Sequence, residues 1–316
     1  MTRPVARLSL AVALGAIVVP SQRGLAQMPA AAPASAQATA SRTKLVMLGT
    51  GTPFADPDRF GSAVVVLVDS TPYLFDAGVG VVRRWAQALR GGVAAIGPAT
   101  LHRVFITHLH SDHTLGLPDL IFTTWTLGGN ARLPLEAYGP PGLGAMTTHL
   151  LAAWSEDIAI RTGGEGEAAR EAPPVVHVHE IAPGIVYRDS LVTVTAFMVH
   201  HGTVPHAFGY RIQTPDKVIV LSGDAGPPST VAEQCQGCDI LVHEGGGMLA
   251  GDATDYLRRF HTTVEGLAEI ATAAHPKLLV LYHQRPASPA AERSYARLRQ
   301  LYAGPFVVAR DLDVYR

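Results

Sequence analysis

The sequence predicts an α/β layered domain, and three observations predict it. Short apolar runs of strand length alternate with amphipathic stretches of helix length from residue 43 to the C-terminus. No break in composition divides that stretch, so the helices and strands share one domain instead of separating into all-α and all-β parts. Metal-capable side chains recur just past the ends of the apolar runs, where the strand ends of an α/β sheet converge on one rim.

The N-terminus stands apart from this pattern. Arg3 and Arg7 precede an apolar run from Leu8 to Val19, Pro20 ends it, and Gly24-Leu25-Ala26 supplies small residues for cleavage. Residues 1–26 therefore read as a secretory signal peptide, because the run is well short of the roughly 20 residues that span a bilayer. Residues 27–42 are rich in Ala, Pro and Ser and read as a disordered linker. The folded domain is expected over 43–316, in a protein exported to the periplasm or secreted.

The elements follow in order. Lys44–Leu48, Ala63–Asp69, Tyr73–Phe75 and Arg103–Ile106 are strand candidates. Val81–Leu89 carries apolar residues at helical spacing, with Gly91 as its stop, and Leu117–Trp125 is helix-like. Gly163–Pro174 is polar and glycine-rich and reads as a surface loop. Leu191–Val199, Phe208–Gln213, Lys217–Leu221, Asp239–Val242 and Leu278–Tyr282 are further strand candidates. Val264–Ala274 reads as a helix with an apolar stripe of Val264, Leu267, Ala268 and Ala271, and Thr262 with Glu265 fits a capping box. The two cysteines, Cys235 and Cys238, could close a small disulfide or pack as thiols.

Composition narrows the function. The net charge is −1, and the only lysines are Lys44, Lys217 and Lys277, so no basic stripe of the kind a nucleic-acid binder shows is visible. The 14 histidines ask for a different explanation. Residues 105–119 read FITHLHSDHTLGLPD and place His108, His110, Asp112 and His113 within six positions. That spacing does not put all four on one helix face; it suits a loop at a strand end that can aim side chains in two directions. Imidazole with carboxylate suits zinc, and also iron or manganese. His201, Asp224 and His283 each follow an apolar run, which brings the candidate ligands to seven. One zinc takes about four protein ligands. Seven fit two ions, one carboxylate being shared, and water between two metals about 3.5–4 Å apart becomes a hydroxide nucleophile near neutral pH.

These motifs resemble the metallo-β-lactamase superfamily. THLHSDHTLGLPD looks like its HxHxDH signature, and Leu48–Pro53, Phe75–Gly78, Val199–Gly202, Ser222–Asp224, Val242–Glu244, His261–Thr263 and Leu281–His283 follow in the family's order. The LGTGTP opening, Phe208–Ile212, the His243-Glu244 pair and His261-Thr262-Thr263 are similar to the ribonuclease Z and arylsulfatase-like branch. The resemblance covers residues 44–315. It implies a single-domain, four-layer αββα sandwich. It implies two zinc ions (iron or manganese as substitutes), one held by His108, His110 and His201, the other by Asp112, His113 and His283, with Asp224 bridging them. Asp76 would orient histidines from behind. Asp112, Glu244 and His261 would take part in catalysis, His261 donating a proton to the leaving group with Glu244 behind it. His200 would point away from the metals, His206 would sit on the surface or touch substrate, and His243 would neighbour the site. His102, His149, His177, His179 and His275 would be structural.

Two departures steer the substrate expectation. The stretch Leu150–Pro174, where RNA-processing members carry a basic arm, has no lysine and several acidic residues. Ala225-Gly226-Pro227-Pro228 stands where that branch often has an arginine. The expectation is therefore an exported dinuclear hydrolase of a small ester, a sulfate ester or phosphodiester, with nucleic acid argued against, no membrane association after signal cleavage, and a homodimer allowed. The alternatives are a lactonase or β-lactamase-like hydrolase, a ribonuclease Z-like endonuclease processing RNA 3′ ends, and a non-catalytic binding protein on this fold.

Overall fold

Residues 41–93, 100–127, 133–164, 172–245 and 247–316 are described by the computed structural model of the protein. The signal expected at 1–26 and nearly all of the linker expected at 27–42 lie outside them. Ser41 and Arg42 are already tied to the domain: the Ser41 hydroxyl and the Arg42 N–H donate to Asp216, and the Arg42 guanidinium pairs with Asp69 at 2.6 Å.

The strands are β1 (Thr43–Gly49), β2 (Ala63–Val68), β3 (Thr71–Phe75), β4 (Arg103–Phe105), β5 (Leu135–Gly139), β6 (Val176–Glu180), β7 (Gly184–Arg188), β8 (Thr193–Met198), β9 (Phe208–Gln213), β10 (Val218–Leu221), β11 (Ile240–His243), β12 (Leu278–Leu281), β13 (Phe306–Val308) and β14 (Val314–Tyr315). The helices are α1 (Val81–Arg90), α2 (Ser111–Thr114), α3 (Leu117–Leu127), α4 (Leu143–Ala153), α5 (Ser155–Thr162), α6 (Val231–Cys235), α7 (Asp255–Phe260), α8 (Val264–Ala274) and α9 (Pro289–Leu301). Two seven-stranded sheets form, in the orders β14-β1-β2-β3-β4-β5-β6 and β13-β12-β11-β10-β9-β8-β7. Each sheet has an antiparallel part and a parallel part. In the first, β3 to β6 run parallel; in the second, β10 to β13 do.

Alternation along the strands builds three apolar layers. Leu45, Met47, Val64, Phe75, Phe105, Val194, Tyr210, Val242 and Val280 meet between the sheets. Val46, Leu48, Val65, Leu74 and Val104 face the opposite way, onto α1, α3 and α4. Val220, Leu241, Leu279 and Leu281 face α6, α8 and α9. Helix, sheet, sheet and helix therefore make the expected αββα sandwich. Because the central strands are covered on both faces, their sequences read as near-continuous apolar runs.

The expected capping box at α8 is corrected. Thr263, not Thr262, caps the helix, its hydroxyl accepting from the Gly266 N–H. Thr262 is drawn inward, where its N–H donates to Glu244 and its hydroxyl to the Ala225 carbonyl, and Glu265 instead accepts from the Ala250 N–H. Cys235 and Cys238 form a disulfide at the end of α6. His177 and His179, expected to be structural, both contact Glu136 across β5 and β6.

Candidate metal centre

The loops that follow β3, β4, β8, β10, β11 and β12 meet at one rim between the sheets. The loop after β4 carries His108 and His110, and the short α2 turns Asp112 and His113 inward. The loop is backed by glycine. A Cβ on Gly78 would stand 2.4 Å from the Asp112 carbonyl oxygen, and one on Gly61 would stand 2.9 Å from it. Only glycine lets the β2 and β3 loops approach this closely.

All seven expected ligands come together. The ligand atoms of His108, His110, His201 and Asp224 lie within 4.8 Å of one another, as do those of Asp112, His113, Asp224 and His283. Asp224 belongs to both groups, and its two oxygens divide between them. Its Oδ2 lies 3.8 Å from His108 Nε2 and 3.8 Å from His201 Nε2. Its Oδ1 lies 3.3 Å from His113 Nε2 and 3.4 Å from His283 Nε2. Asp112 Oδ2 stands 3.0 Å from His283 Nε2 and 3.6 Å from His113 Nε2. Apart from His110, which is exposed, these side chains are buried.

Whether metal fits there is answered by atoms with nothing to bond. His108 Nε2, His113 Nε2 and Asp224 Oδ1 are buried with no hydrogen-bond partner. An unsatisfied buried polar group costs about 1–3 kcal/mol, so three at one point would be a heavy penalty. Cations coordinated by those atoms remove it. Both donor sets, three imidazoles with a carboxylate and two imidazoles with two carboxylates, suit zinc.

The tautomers are fixed from behind. Asp76 is fully buried and accepts from the Thr107 N–H at 2.8 Å, the Thr107 hydroxyl at 3.0 Å and His113 Nδ1 at 2.7 Å. His201 Nδ1 donates to the Phe260 carbonyl at 2.7 Å. Each bond turns Nε2 toward the centre, where His201 Nε2 also lies 3.2 Å from His110 Nδ1. Burial, reinforced by neighbouring His113, holds His108 well below the usual histidine range. Burial also pushes His113 down, but Asp224 and Asp76 outweigh it and raise that ring well above the range. Burial would raise Asp224, yet His283 and His113 hold it well below the carboxylate range.

Glu244 and His261 stand beside this centre. Glu244 Oε1 accepts from the Thr262 N–H at 2.8 Å, and Oε2 lies 3.5 Å from His261 Nδ1. Burial lowers the His261 pKa, but Glu244, helped by Asp224 and Asp112, more than compensates, and the ring is pushed up to about 9. His261 stacks on His283 with centroids 5.7 Å apart and lines a cleft of about 290 Å³. The other histidines keep away. His200 is exposed on a strand-like bridge to Gly226, and His206 is exposed on the same loop. His243 is buried with its Nδ1 on the Glu244 carbonyl, in neither metal group. Residues missed in the sequence are Phe54, Tyr256 and Arg285, which line the cleft. Arg285 could have been noticed, since it follows His283 by two positions at the end of an apolar run.

The sequence profile described as the β-lactamase superfamily domain matches residues 71–284. The chain belongs to the β-lactamase superfamily. A ribonuclease Z of Mycobacterium sp. (strain KMS) is 33% identical over 281 residues, covering 86% of this chain and 95% of that protein. A ribonuclease Z of Mycobacterium bovis (strain BCG / Pasteur 1173P2) is 31% identical over 280 residues, covering 85% and 96%. These relatives place it in the ribonuclease Z branch of the superfamily. Among solved structures, the short form of human tRNase Z superposes with a TM-score of 0.65 at 24% identity, over 86% of this chain and 98% of that one, and carries the fold. This superfamily member is thus a metal-dependent hydrolase whose centre suits two zinc ions.

Proposed function

We propose that the protein is an endoribonuclease that hydrolyses an RNA phosphodiester in the manner of ribonuclease Z, trimming RNA 3′ ends. The observation that supports it most is the 33% identity to a ribonuclease Z along 95% of that protein's length. The expectation that the substrate is a sulfate or other small ester, with nucleic acid argued against, is corrected by the same finding. It rested on the lack of lysine over Leu150–Pro174, on the missing arginine after Asp224 and on the expected export, none of which bears on the centre itself. The hydrolytic centre itself treats a phosphodiester alike whether the chain carrying it is short or long.

In this reading His108, His110 and His201 would hold one ion, Asp112, His113 and His283 would hold the other, and Asp224 would be shared between them. Two dications held there would supply Lewis acidity to the phosphodiester and lower the pKa of a nearby water. The chain's own residues handle the remaining proton. His261, whose pKa Glu244 raises, gives its proton to the leaving oxygen as the P–O bond breaks and the oxygen of water joins phosphorus. Glu244, pinned by the Thr262 N–H, keeps His261 aimed and favours its protonated form, while the proton lost by the attacking water passes to solvent, from which His261 is reprotonated. The disagreeing alternatives find less support: a binding protein would be expected to lose a ligand, and all seven are present.

The test uses a transfer-RNA precursor carrying a 3′ extension and the zinc-loaded protein. Endonucleolytic release of the extension by the wild type, abolished in Asp224→Ala, is the expected result. An intact precursor at saturating zinc would overturn the proposal.

A further inference from the structure

We infer that the cleft beside His261 is a single-nucleotide subsite, in which Phe54 and Tyr256 stack the base of the leaving nucleotide and Arg285 holds a phosphate. This rests on the RNA-cleaving reading of the same centre. The cleft has a volume of about 290 Å³ and runs from His261 and His283 past Gln284 to Phe54 and Tyr256. That is the small end of the ~300–1,000 Å³ typical of small-molecule sites, room for one nucleotide and not for a folded RNA segment.

The two walls differ in a way that matches a nucleotide's two halves. Phe54 is 52% exposed and Tyr256 is 58% exposed, so two large rings border a cleft that opens to solvent. Tyr256 is held in place by stacking on Phe260, with centroids 4.4 Å apart and planes 27° apart. Phe260 in turn lies edge-on to His201, so the platform is anchored to the metal centre. Exposed rings at the rim of a hydrolytic site offer stacking to any base, whatever its sequence. The Arg285 guanidinium lies over the Phe54 ring, 4.8 Å from its centroid. It pairs with no carboxylate among the described residues, unlike Arg42, Arg84 and Arg258, so its charge stays available to an anion. The one acidic group in the cleft, Glu244, is occupied by Thr262 and His261.

Position supplies the polarity. His261 lines the cleft beside the metal ligand His283, on which it stacks, and it is the group that protonates the leaving oxygen. The nucleotide attached to that oxygen therefore rests in the cleft. The arginine absent after Asp224 is replaced, on this account, by one from the loop after β12.

Binding to the zinc-loaded protein is measured by calorimetry for adenosine 5′-monophosphate, ribose 5-phosphate and inorganic phosphate. Stacking of one base is expected to make the nucleotide bind about tenfold or more tightly than ribose 5-phosphate. Phe54→Ala and Tyr256→Ala should each shrink that ratio at least threefold and leave ribose 5-phosphate unchanged. Arg285→Ala should weaken the nucleotide and ribose 5-phosphate by the same factor. Equal binding of the two in the wild type, or a ratio that neither aromatic variant changes, would overturn the subsite. Both rings are exposed, and Phe54→Leu keeps the packing without the aromatic face should Phe54→Ala unfold. The two readings fail separately. Nucleotide discrimination without RNA cleavage would leave the subsite standing and remove the ribonuclease, and RNA cleavage without discrimination would do the reverse.

Discussion

Asp224 sends one oxygen to each group of ligands, and the chemistry depends on that division. Two neighbours of the centre do their work without being ligands. Asp76 holds His113 by a 2.7 Å bond and also anchors the turn through Thr107. Asp76→Asn keeps the shape and loses the charged acceptor, so it should weaken the second metal site about 10–100-fold. Competition with a chromogenic chelator measures this; an unchanged affinity would remove Asp76 from any orienting role. His261 is expected to behave in the opposite way. His261→Ala should lower turnover of RNA by about 10²–10⁴-fold with two metals still bound. Metal analysis that finds an ion missing in this variant would make His261 a ligand.

At the scale of elements, strands with both faces buried were legible as apolar runs, and β9 falls on the residues expected for it. So were the ligands, because each follows such a run. The edge strands β6 and β7 were not, since their exposed faces carry His177, His179, Glu180 and Arg188 among the apolar residues. The strands β5, β13 and β14 and the helices α2, α4, α5, α6, α7 and α9 were missed too; α6 and α7 are a turn or two long, and tertiary contacts fix them more than periodicity does. Backbone strain at the site was invisible in the sequence. Asp76 and His283 adopt φ of 59° and 54°, a conformation that such residues take only where the surroundings demand it. His283 is locked there by Gln284, whose amide donates to the Gly245 and Tyr282 carbonyls at 2.7 Å and accepts from Tyr295.

The start of β1 also carries a prediction at this scale. Burial would raise the Asp216 pKa, but bonds from Thr43, Ser41 and Arg42 lower it to about 2. A carboxylate depressed in the folded state stabilises above the unfolded value near 3.9 and loses that contribution as pH falls from there toward 2. Asp216 is exposed, so solvent screening discounts the full shift to ~1 kcal/mol. Asp216→Asn should therefore unfold at lower urea than the wild type at pH 7, with the gap closing by pH 2. A gap that is constant across this range would refute the linkage.

For the whole molecule, the layered fold brings ligands from both sheets to one rim. His108, His110, Asp112 and His113 come from the first sheet, and His201, Asp224 and His283 come from the second. The centre therefore exists only when the two sheets are packed together, and metal should bind the folded state and stabilise it. The fold and the seven ligands were readable because their motifs keep a fixed order along the chain. The substrate was not, because the absence of lysine in one segment says little about a surface assembled from many. Two ions together are expected to drive RNA cleavage. Metal-free protein titrated with zinc, with cleavage of the precursor RNA followed at each addition, tests this most directly. Activity should rise until two equivalents of zinc are bound per chain. A plateau at one equivalent, or an uncut precursor at every loading, would contradict it.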